Sequence, residues 1–229
     1  VIHIKKASEL AYIRDNYDKE EWNEVEEYVI ELSVSHYVWY DPAYERPISL
    51  DADIDMGDAV SWIPLGWTGS SETHFEGTFY GNGHTIRIHT TGATANYQGL
   101  FSGIDDEGRV ENLHVVADIH CSRSRLVGGI AGENDGTIVN CWVSGTVRSD
   151  WHESSSSYTG KVGGICGENN GTVEFCCVTA DVQNDDADVG GLVGCNDGTL
   201  SHCTFYGTRN SSHDQASIYV GDSGTEEYL

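Results

Sequence analysis

Val127-Gly-Gly-Ile-Ala-Gly-Glu-Asn-Asp-Gly-Thr-Ile138 recurs twice more in the second half of this 229-residue chain. The copies are Val162-Gly-Gly-Ile-Cys-Gly-Glu-Asn-Asn-Gly-Thr-Val173 and Val189-Gly-Gly-Leu-Val-Gly-Cys-Asn-Asp-Gly-Thr-Leu200. A looser copy spans residues 99–113. Self-similarity at a short period is typical of solenoids, in which one small unit stacks on the next because none can bury its apolar face alone. The repeats therefore predict a solenoid.

The spacing and polarity of the copies favour strands over helices. Successive copies lie 30, 35 and 27 residues apart, measured between Gly99, Gly129, Gly164 and Gly191. Helical repeats hold their length more tightly, and residues 137–143 alternate in polarity rather than following a 3.6-residue period. Gly and Asn-Asp-Gly or Asn-Asn-Gly turns separate such runs. We therefore expect an all-β, right-handed parallel β-helix, with extra residues in loops such as 149–160.

Several spaced motifs resemble one family. The pattern Gly-Gly-Leu/Ile-x-Gly-x-Asn-x-Gly-Thr-Ile resembles the GLUG repeat of bacterial surface and secreted proteins, which also flanks some immunoglobulin-A-cleaving metallopeptidases. Residues 7–16 resemble the helix that opens such domains. Residues 50–56, 62–66 and 75–86 resemble the family's other motifs and occur in the family's order. The resemblance implies a noncatalytic bacterial surface or secreted protein.

One domain covering residues 1–229 is expected. Its predicted parts are an opening helix at 7–16, a helical and aromatic insertion at 17–48, first coils at 49–96, GLUG-like repeats at 97–212 and a tail at 213–229. The insertion departs from the family pattern, in which this stretch is short. We expect it to form a small N-terminal cap, because Trp22, Val25, Val29 and Leu32 recur at helical spacing.

The composition limits the partners. With 37 acidic and 12 basic residues, the formal net charge is −25, which disfavours nucleic acid and anionic membranes as partners. The acidity suits solubility, or the attraction of divalent cations or basic partners. No stretch reaches the length of a transmembrane helix. Because the chain begins at Val1 without a visible signal peptide, we expect a mature or truncated secreted product.

The seven cysteines leave at least one thiol unpaired in a monomer. Cys141, Cys176 and Cys203 follow the three copies at the same offset, so we expect them to stack about 4.8 Å apart. A structural ladder of buried thiols is the favoured interpretation. The same spacing accommodates a disulfide, which leaves pairing open as the alternative.

Two sets of carboxylates are candidate metal ligands. Asp51, Asp53 and Asp55 alternate with apolar residues and are expected on the outer face of one strand, where they could bind calcium or act as acid and base on a polysaccharide. Glu133 and Glu168 should stack at a corner, where a cation would relieve their repulsion. Simple burial of the apolar face explains the first set equally well. We assign no cofactor and leave calcium open.

Corner positions beside these glutamates complete the pattern. Cys195 takes the place of Glu133 and Glu168 in the third copy and is expected to be exposed at a corner. The stacked asparagines of the copies are expected to bond corner backbone, and asparagine also tolerates the left-handed conformation that a corner can require; they are Asn134, Asn169 and Asn196.

Proteolysis by the zinc route is excluded by sequence. That chemistry needs two histidines four residues apart, with a glutamate after the first. The chain has one His-Glu pair, His152-Glu153, and Ser156 occupies the fourth position. No catalytic residue is therefore assigned.

An aromatic cluster follows the insertion helix and is a candidate binding surface. Tyr37, Trp39, Tyr40 and Tyr44 could stack on sugar rings or anchor a protein. They could equally pack on the helix as a satellite core, which is the favoured alternative.

The expected function is a noncatalytic, secreted or cell-surface module for adhesion or structural scaffolding. Its partners would be an extracellular glycan, a host or bacterial surface protein, or further copies of itself. A filament subunit that stacks head-to-tail through the solenoid ends is the first alternative. A polysaccharide-binding or polysaccharide-cleaving β-helix is the second.

Overall fold

The structure is a computed structural model that describes residues 1–16, 47–59, 61–66, 74–150, 160–184, 187–211 and 225–227. Its parallel strands stack as a β-solenoid of about 5 turns, and the described residues contain a single helix, Ala7–Asn16. The predicted parallel β-solenoid is therefore confirmed. The helix matches the predicted opening segment, and residues 17–46 of the predicted insertion lie outside the described residues.

Each repeat visits four sheets in the same order, and we number them in that order. Sheet 1 contains Tyr97–Gln98, Leu126–Val127, Lys161–Gly163 and Asp188–Gly190. Sheet 2 contains Phe101–Ile104, Ala131–Asn134, Cys166–Asn169 and Val193–Asn196. Sheet 3 contains Ile2–Ile4, Ile48–Leu50, Thr78–Tyr80, Arg109–Glu111, Thr137–Val139, Thr172–Glu174, Thr199–Ser201 and Thr225–Glu227. Sheet 4 contains Ile54–Asp55, Thr85–Ala93, His114–Cys121, Trp142–Ser149, Cys177–Val178, Asp181–Gln183, Thr204–Phe205 and Thr208–Asn210.

Stacked apolar columns form the core. In sheet 3 the inward position is occupied, coil after coil, by fully buried residues in register, namely Phe79, Val110, Ile138, Val173 and Leu200. Burying one such side chain contributes about 1.5–3 kcal/mol relative to leaving it in water. Each coil therefore depends on the next coil to cover its apolar side chains.

Helix Ala7–Asn16 covers the N-terminal end of this core. Its residues Leu10 and Ile13 are buried in the same cluster as the strands. The Glu9 carboxylate accepts hydrogen bonds from the backbone N–H groups of Lys5 (2.6 Å) and Lys6 (3.1 Å). These bonds satisfy donors at the helix start, as in a capping box.

The glycine of the Gly-Thr pair in the copies has a steric cause. A Cβ at Gly171 would lie 2.1 Å from the carbonyl oxygen of Gly136, and a Cβ at Gly198 would lie 2.1 Å from that of Gly171. No real side chain tolerates such a contact with backbone. Glycine therefore lets the turns between sheets 2 and 3 stack directly on one another.

A buried asparagine ladder runs through sheet 2. Asn134, Asn169 and Asn196 are in register and fully buried. The Nδ2 of Asn134 donates to Oδ1 of Asn169 (2.7 Å), and Nδ2 of Asn169 donates to Oδ1 of Asn196 (2.7 Å). Each Nδ2 also faces a corner carbonyl at 3.4 Å. The predicted bonding to corner backbone is therefore present.

These asparagines lie within extended strands and do not use the left-handed conformation that asparagine tolerates. Positive φ occurs instead at the turn between sheets 3 and 4, at Asn82, Asn112, Asn140, Phe175 and His202, with φ between 52° and 55°. Asparagine tolerates this region, whereas a phenylalanine there is uncommon.

We expect Asn169→Ala to lower the free energy of unfolding by about 2–4 kcal/mol. The substitution leaves a buried donor on Asn134 and a buried acceptor on Asn196 unsatisfied, and each costs about 1–3 kcal/mol. Asn210→Ala, at an exposed position of the last sheet 4 strand, is the matched control and should change stability by less than about 0.5 kcal/mol. Urea unfolding of both variants measures the difference. Equal effects would contradict the ladder's role.

Candidate functional site

The outer face of sheet 2 carries a column of polar residues. Gly103, Glu133, Glu168 and Cys195 are in register on successive coils. One coil earlier, Phe75 bridges Ile104, which places the preceding residue, His74, at the start of the same column. Glu133 and Glu168 therefore stack as the repeats predict.

The side chain of His74 extends across Gly103, which lies on the next coil, to the coil that carries Glu133. Its Nε2 lies 3.8 Å from Oε2 of Glu133, and its Nδ1 lies 3.6 Å from Oδ2 of Asp135. On the far side, Nδ2 of Asn170 donates to Oε1 of Glu133 (3.2 Å) and to Oδ1 of Asp135 (2.8 Å). The two carboxylates are thus held between an imidazole and an amide.

The electrostatics of this cluster are unfavourable for two charged acids. Burial raises the pKa of Glu133, and the nearby Asp135 carboxylate raises it further. His74 acts in the opposite direction. No lysine or arginine among the described residues forms an ion pair with Glu133 or Asp135. The cluster could therefore be stabilised by a cation.

One coil further on, a lysine supplies the positive charge next to the glutamate. The Nζ of Lys161 lies 2.7 Å from Oε1 of Glu168. Burial lowers the pKa of Lys161, but the hydrogen bond to Glu168 and the interactions with Cys195 together outweigh it, so the net shift is upward. Cys195 and Asp197 lie beside this pair. Cys195 is within a strand and 9% exposed, so the expectation of an exposed corner residue is wrong.

The first predicted carboxylate set is divided between two sheets. The strand Ile48–Leu50 ends before Asp51, and a new strand begins at Ile54 in sheet 4. The prediction of a single strand carrying Asp51, Asp53 and Asp55 is therefore wrong. A bend lies between two short strands, and alternation alone does not distinguish that from one continuous strand.

Each of these aspartates has its own partner. Asp51 faces His3 at 3.0 Å, Asp53 accepts from the Thr85 backbone N–H at 2.9 Å, and Asp55 lies 3.4 Å from Arg87. The bonds from His3 and Thr85 are the leading causes that lower the pKa of Asp51 and Asp53 respectively. The three do not form a common cluster of metal ligands in the described part of the chain.

Sheet 4 presents a ledge of stacked rings on its outer side. His114 and Trp142 are in register, and their rings stack with centroids 4.1 Å apart and planes 9° apart. On the next two coils, at the turn between sheets 3 and 4, Phe175 stacks on His202 with centroids 4.7 Å apart. Trp142 is 45% exposed and Phe175 is 54% exposed. We call these four residues the aromatic ledge.

Hydrogen bonds hold the ledge in place. The indole Nε1 of Trp142 donates to Oγ1 of Thr179 (2.9 Å), and Nε2 of His114 lies 2.9 Å from Oγ of Ser144. A shallow hollow beside the rings is lined by Asn82, Gly83, Asn112, Leu113, His114, Asn140 and Trp142. The ledge thus combines fixed apolar ring faces with amides.

The aromatic residues singled out in the sequence cannot be compared with this ledge. Tyr37, Trp39, Tyr40 and Tyr44 lie outside the described residues. A binding role for them stays a prediction. Trp142 was missed because a single tryptophan in a repeat gives no periodic pattern, although its alignment with His114 is visible in the copies.

The cysteines of the repeats lie inside the solenoid. Cys141, Cys176 and Cys203 are buried, and all seven cysteines are free thiols in the structure. The backbone N–H of Cys141 lies 3.4 Å from Sγ of Cys176, which places these neighbours on adjacent coils in contact. Burial raises the pKa of Cys121 to about 12 and that of Cys176 well above its usual value.

We expect alkylation of the native protein at pH 8 to modify Cys177 first. Cys177 faces outward between Trp142 and Thr204 and is the one half-exposed cysteine of the seven, whereas burial keeps thiols such as Cys121 protonated and inaccessible. Mass spectrometry of intact protein and peptides measures the order. Cys177→Ser should remove the fastest modification and Cys121→Ser should not. Rapid modification of the buried thiols would contradict this packing.

Two proteins of known sequence resemble part of the chain. A "Putative Gly-rich membrane protein" of Evansella cellulosilytica is 36% identical over 101 residues, and "Halomucin" of Haloquadratum walsbyi is 31% identical over 115 residues. The matches cover 43% and 47% of this chain but only 11% and 1% of those proteins. No family model matches the chain, so membership of the GLUG family stays a prediction from the motifs.

One solved structure shares the fold. A "putative immunoglobulin A1 protease" from Bacteroides ovatus superposes with a TM-score of 0.61 at 18% identity, over 98% of this chain and 73% of that chain. At this identity the likeness extends to the fold alone. The chain is thus a parallel β-solenoid of the kind found in that structure. Among the described residues, no helix has the length and apolar character needed to cross a bilayer.

Proposed function

We propose that this chain is a noncatalytic module of an extracellular or cell-surface protein, and that it binds carbohydrate through the aromatic ledge. The observation that carries the proposal is the exposed His114–Trp142 stack. Adhesion to a glycan would follow directly from such a surface, and the solenoid would serve as its rigid support.

The ledge has the features of a preorganised sugar platform. A tryptophan face offers a large, rigid apolar contact, and neighbouring amides can bond hydroxyl groups. Trp142 is fixed by its bond to Thr179 and by the ring of His114. Binding therefore immobilises few side chains that were free before, which lowers the entropic cost of association. The Nδ2 of Asn140 donates to Oδ1 of Asn112 (2.6 Å), so these two amides are also fixed before a ligand binds.

The state of the exposed aspartates supports a noncatalytic role. Cleavage of a glycosidic bond requires one carboxyl group with a raised pKa to act as general acid. The pKa of Asp53 is instead lowered, chiefly by the Thr85 backbone N–H. Asp55 accepts the backbone N–H of Gly57 at 2.8 Å and faces Arg87. These contacts suit surface ion pairs.

The surface location rests on sequence character and on relatives. A formal charge of −25 suits a solvated extracellular surface. The names of the relatives, a Gly-rich membrane protein and halomucin, point to cell envelopes. Each relative is far longer than the match, so the matched residues correspond to one segment of each relative.

We expect Trp142→Ala to weaken binding to a retained glycan at least tenfold, which corresponds to about 1.4 kcal/mol. A panel of bacterial and host polysaccharides, tested by affinity electrophoresis and then by calorimetry, identifies the ligand. Tyr206→Ala is the matched control, because Tyr206 is 76% exposed on the last coil and removal of its ring should leave binding unchanged. Equal loss in both variants, or retention of no glycan by the wild type, would refute the proposal.

Head-to-tail assembly into filaments stays a prediction of the sequence. Sedimentation velocity over a concentration range distinguishes the two functions. A monomer at all concentrations, with glycan retained, favours the binding module. Polymers that persist in Trp142→Ala would favour assembly through the solenoid ends.

A further inference from the structure

We propose that His74, Glu133 and Asp135 form a binding site for a first-row divalent transition-metal ion such as Zn²⁺. The site lies on the outer face of sheet 2 and is independent of carbohydrate binding. It differs from the calcium site expected at Glu133 and Glu168, because the structure adds an imidazole to Glu133 and gives Glu168 a lysine instead.

The three ligands come from different coils and converge. His74 precedes the bridge residue Phe75, whereas Glu133 lies in the sheet 2 strand Ala131–Asn134 two coils later, and Asp135 follows at the corner. One donor atom from each lies within 4.8 Å of the others. Their side chains are 20%, 18% and 34% exposed, so an ion could enter while most of its surroundings remain protein.

The backbone makes room for the imidazole. Gly103 occupies the column position where the following coils carry Glu133, Glu168 and Cys195. A Cβ on Gly103 would lie 2.5 Å from Cδ2 and 2.6 Å from Nε2 of His74. Only glycine at this position lets His74 cross to Glu133.

Hydrogen bonds from a residue outside the proposed ligand set orient the two carboxylates. Asn170 donates to Oε1 of Glu133 and to Oδ1 of Asp135. The other oxygen of each carboxylate, Oε2 and Oδ2, is the one that faces His74. Hydrogen bonds of this kind fix metal ligands and contribute about 10–100-fold to affinity in known sites.

The charge balance favours a cation here and not one coil later. Glu133 and Asp135 approach each other with His74 as their one basic partner among the described residues. Glu168 by contrast is paired with Lys161 at 2.7 Å. A divalent ion would balance the charge of the two carboxylates.

The donor types select the class of ion. Calcium takes 6–8 oxygen ligands, whereas one imidazole nitrogen with two carboxylate oxygens suits zinc and neighbouring transition metals. In a tetrahedral site with ligands at about 2.0–2.1 Å, donor atoms lie roughly 3.3–3.5 Å apart. The separations of 3.8 Å to Glu133 and 3.6 Å to Asp135 are measured from different ring nitrogens, Nε2 and Nδ1. Because one nitrogen would bind the ion, and one donor atom of each residue lies within 4.8 Å of the others, the side chains must approach by up to about 1.5 Å. The remaining coordination positions would be filled by water or by a partner's ligand.

Cobalt(II) is the most informative probe, because its visible spectrum reports the ligand types. We expect chelator-treated protein to bind one equivalent of Co²⁺ with a spectrum typical of nitrogen and oxygen ligands and without thiolate charge-transfer bands. Zn²⁺ should displace it and Ca²⁺ should not. His74→Gln and Asp135→Asn should each weaken binding at least tenfold. Gly103→Ala should do the same by displacing the imidazole.

The matched controls lie one coil away. Glu168→Gln and Cys195→Ser alter the equivalent column but leave His74 untouched, so both should bind Co²⁺ like the wild type. Circular dichroism confirms the fold of each variant, and His74→Gln decides alone if Gly103→Ala unfolds. Unchanged affinity in His74→Gln would overturn the proposal. So would thiolate bands that disappear in Cys195→Ser, or no binding at millimolar Co²⁺. Glycan binding unaffected by chelation separates this site from the aromatic ledge.

Discussion

Parallel in-register stacking governs this molecule. Neighbouring strands lie about 4.8 Å apart, so each residue meets the residue at the same position of the next coil before it meets anything else. The sequence is therefore organised in columns. A column of Val110, Ile138 and Val173 is favourable because apolar side chains cover one another. A column of equal charges is unfavourable, and its cost must be relieved by some other group.

The interior shows how strictly a column is constrained. An asparagine inside sheet 2 is tolerated because the next asparagine accepts its amide hydrogen. The ladder ends where the preceding coil carries Ile104 in register with Asn134. The Oδ1 of Asn134 is accordingly buried without a hydrogen-bond partner in the structure. A polar column thus stabilises the fold only where it is continuous. At its first member, Asn134, one buried polar atom lacks a hydrogen bond, which is unfavourable.

The same columns explain what the sequence could and could not reveal. Repeats align equivalent positions, so the solenoid and the stacking of Glu133 on Glu168 were predictable from the copies alone. Outside the repeats only local alternation was available, and it wrongly placed Asp51 and Asp53 on one strand with Asp55. His74 also lies outside the repeats, so no alignment connects it to Glu133. The glycine at 103, in a column that otherwise carries larger side chains, was the one visible sign that another group enters there.

The outer column of sheet 2 shows that a repeated acidic position is relieved differently on each coil. Lys161 compensates Glu168, and the third copy replaces the glutamate by Cys195. At the adjoining corner Asn170 separates two aspartates of neighbouring coils and donates to the first of them. The first coil of the series has neither a lysine nor a neutral replacement, and receives an imidazole from outside the repeat. Imidazole is also a common metal ligand, and His74 lies beside two carboxylates. This neighbour, which the stacking of the coils brings to Glu133, distinguishes Glu133 from its copies.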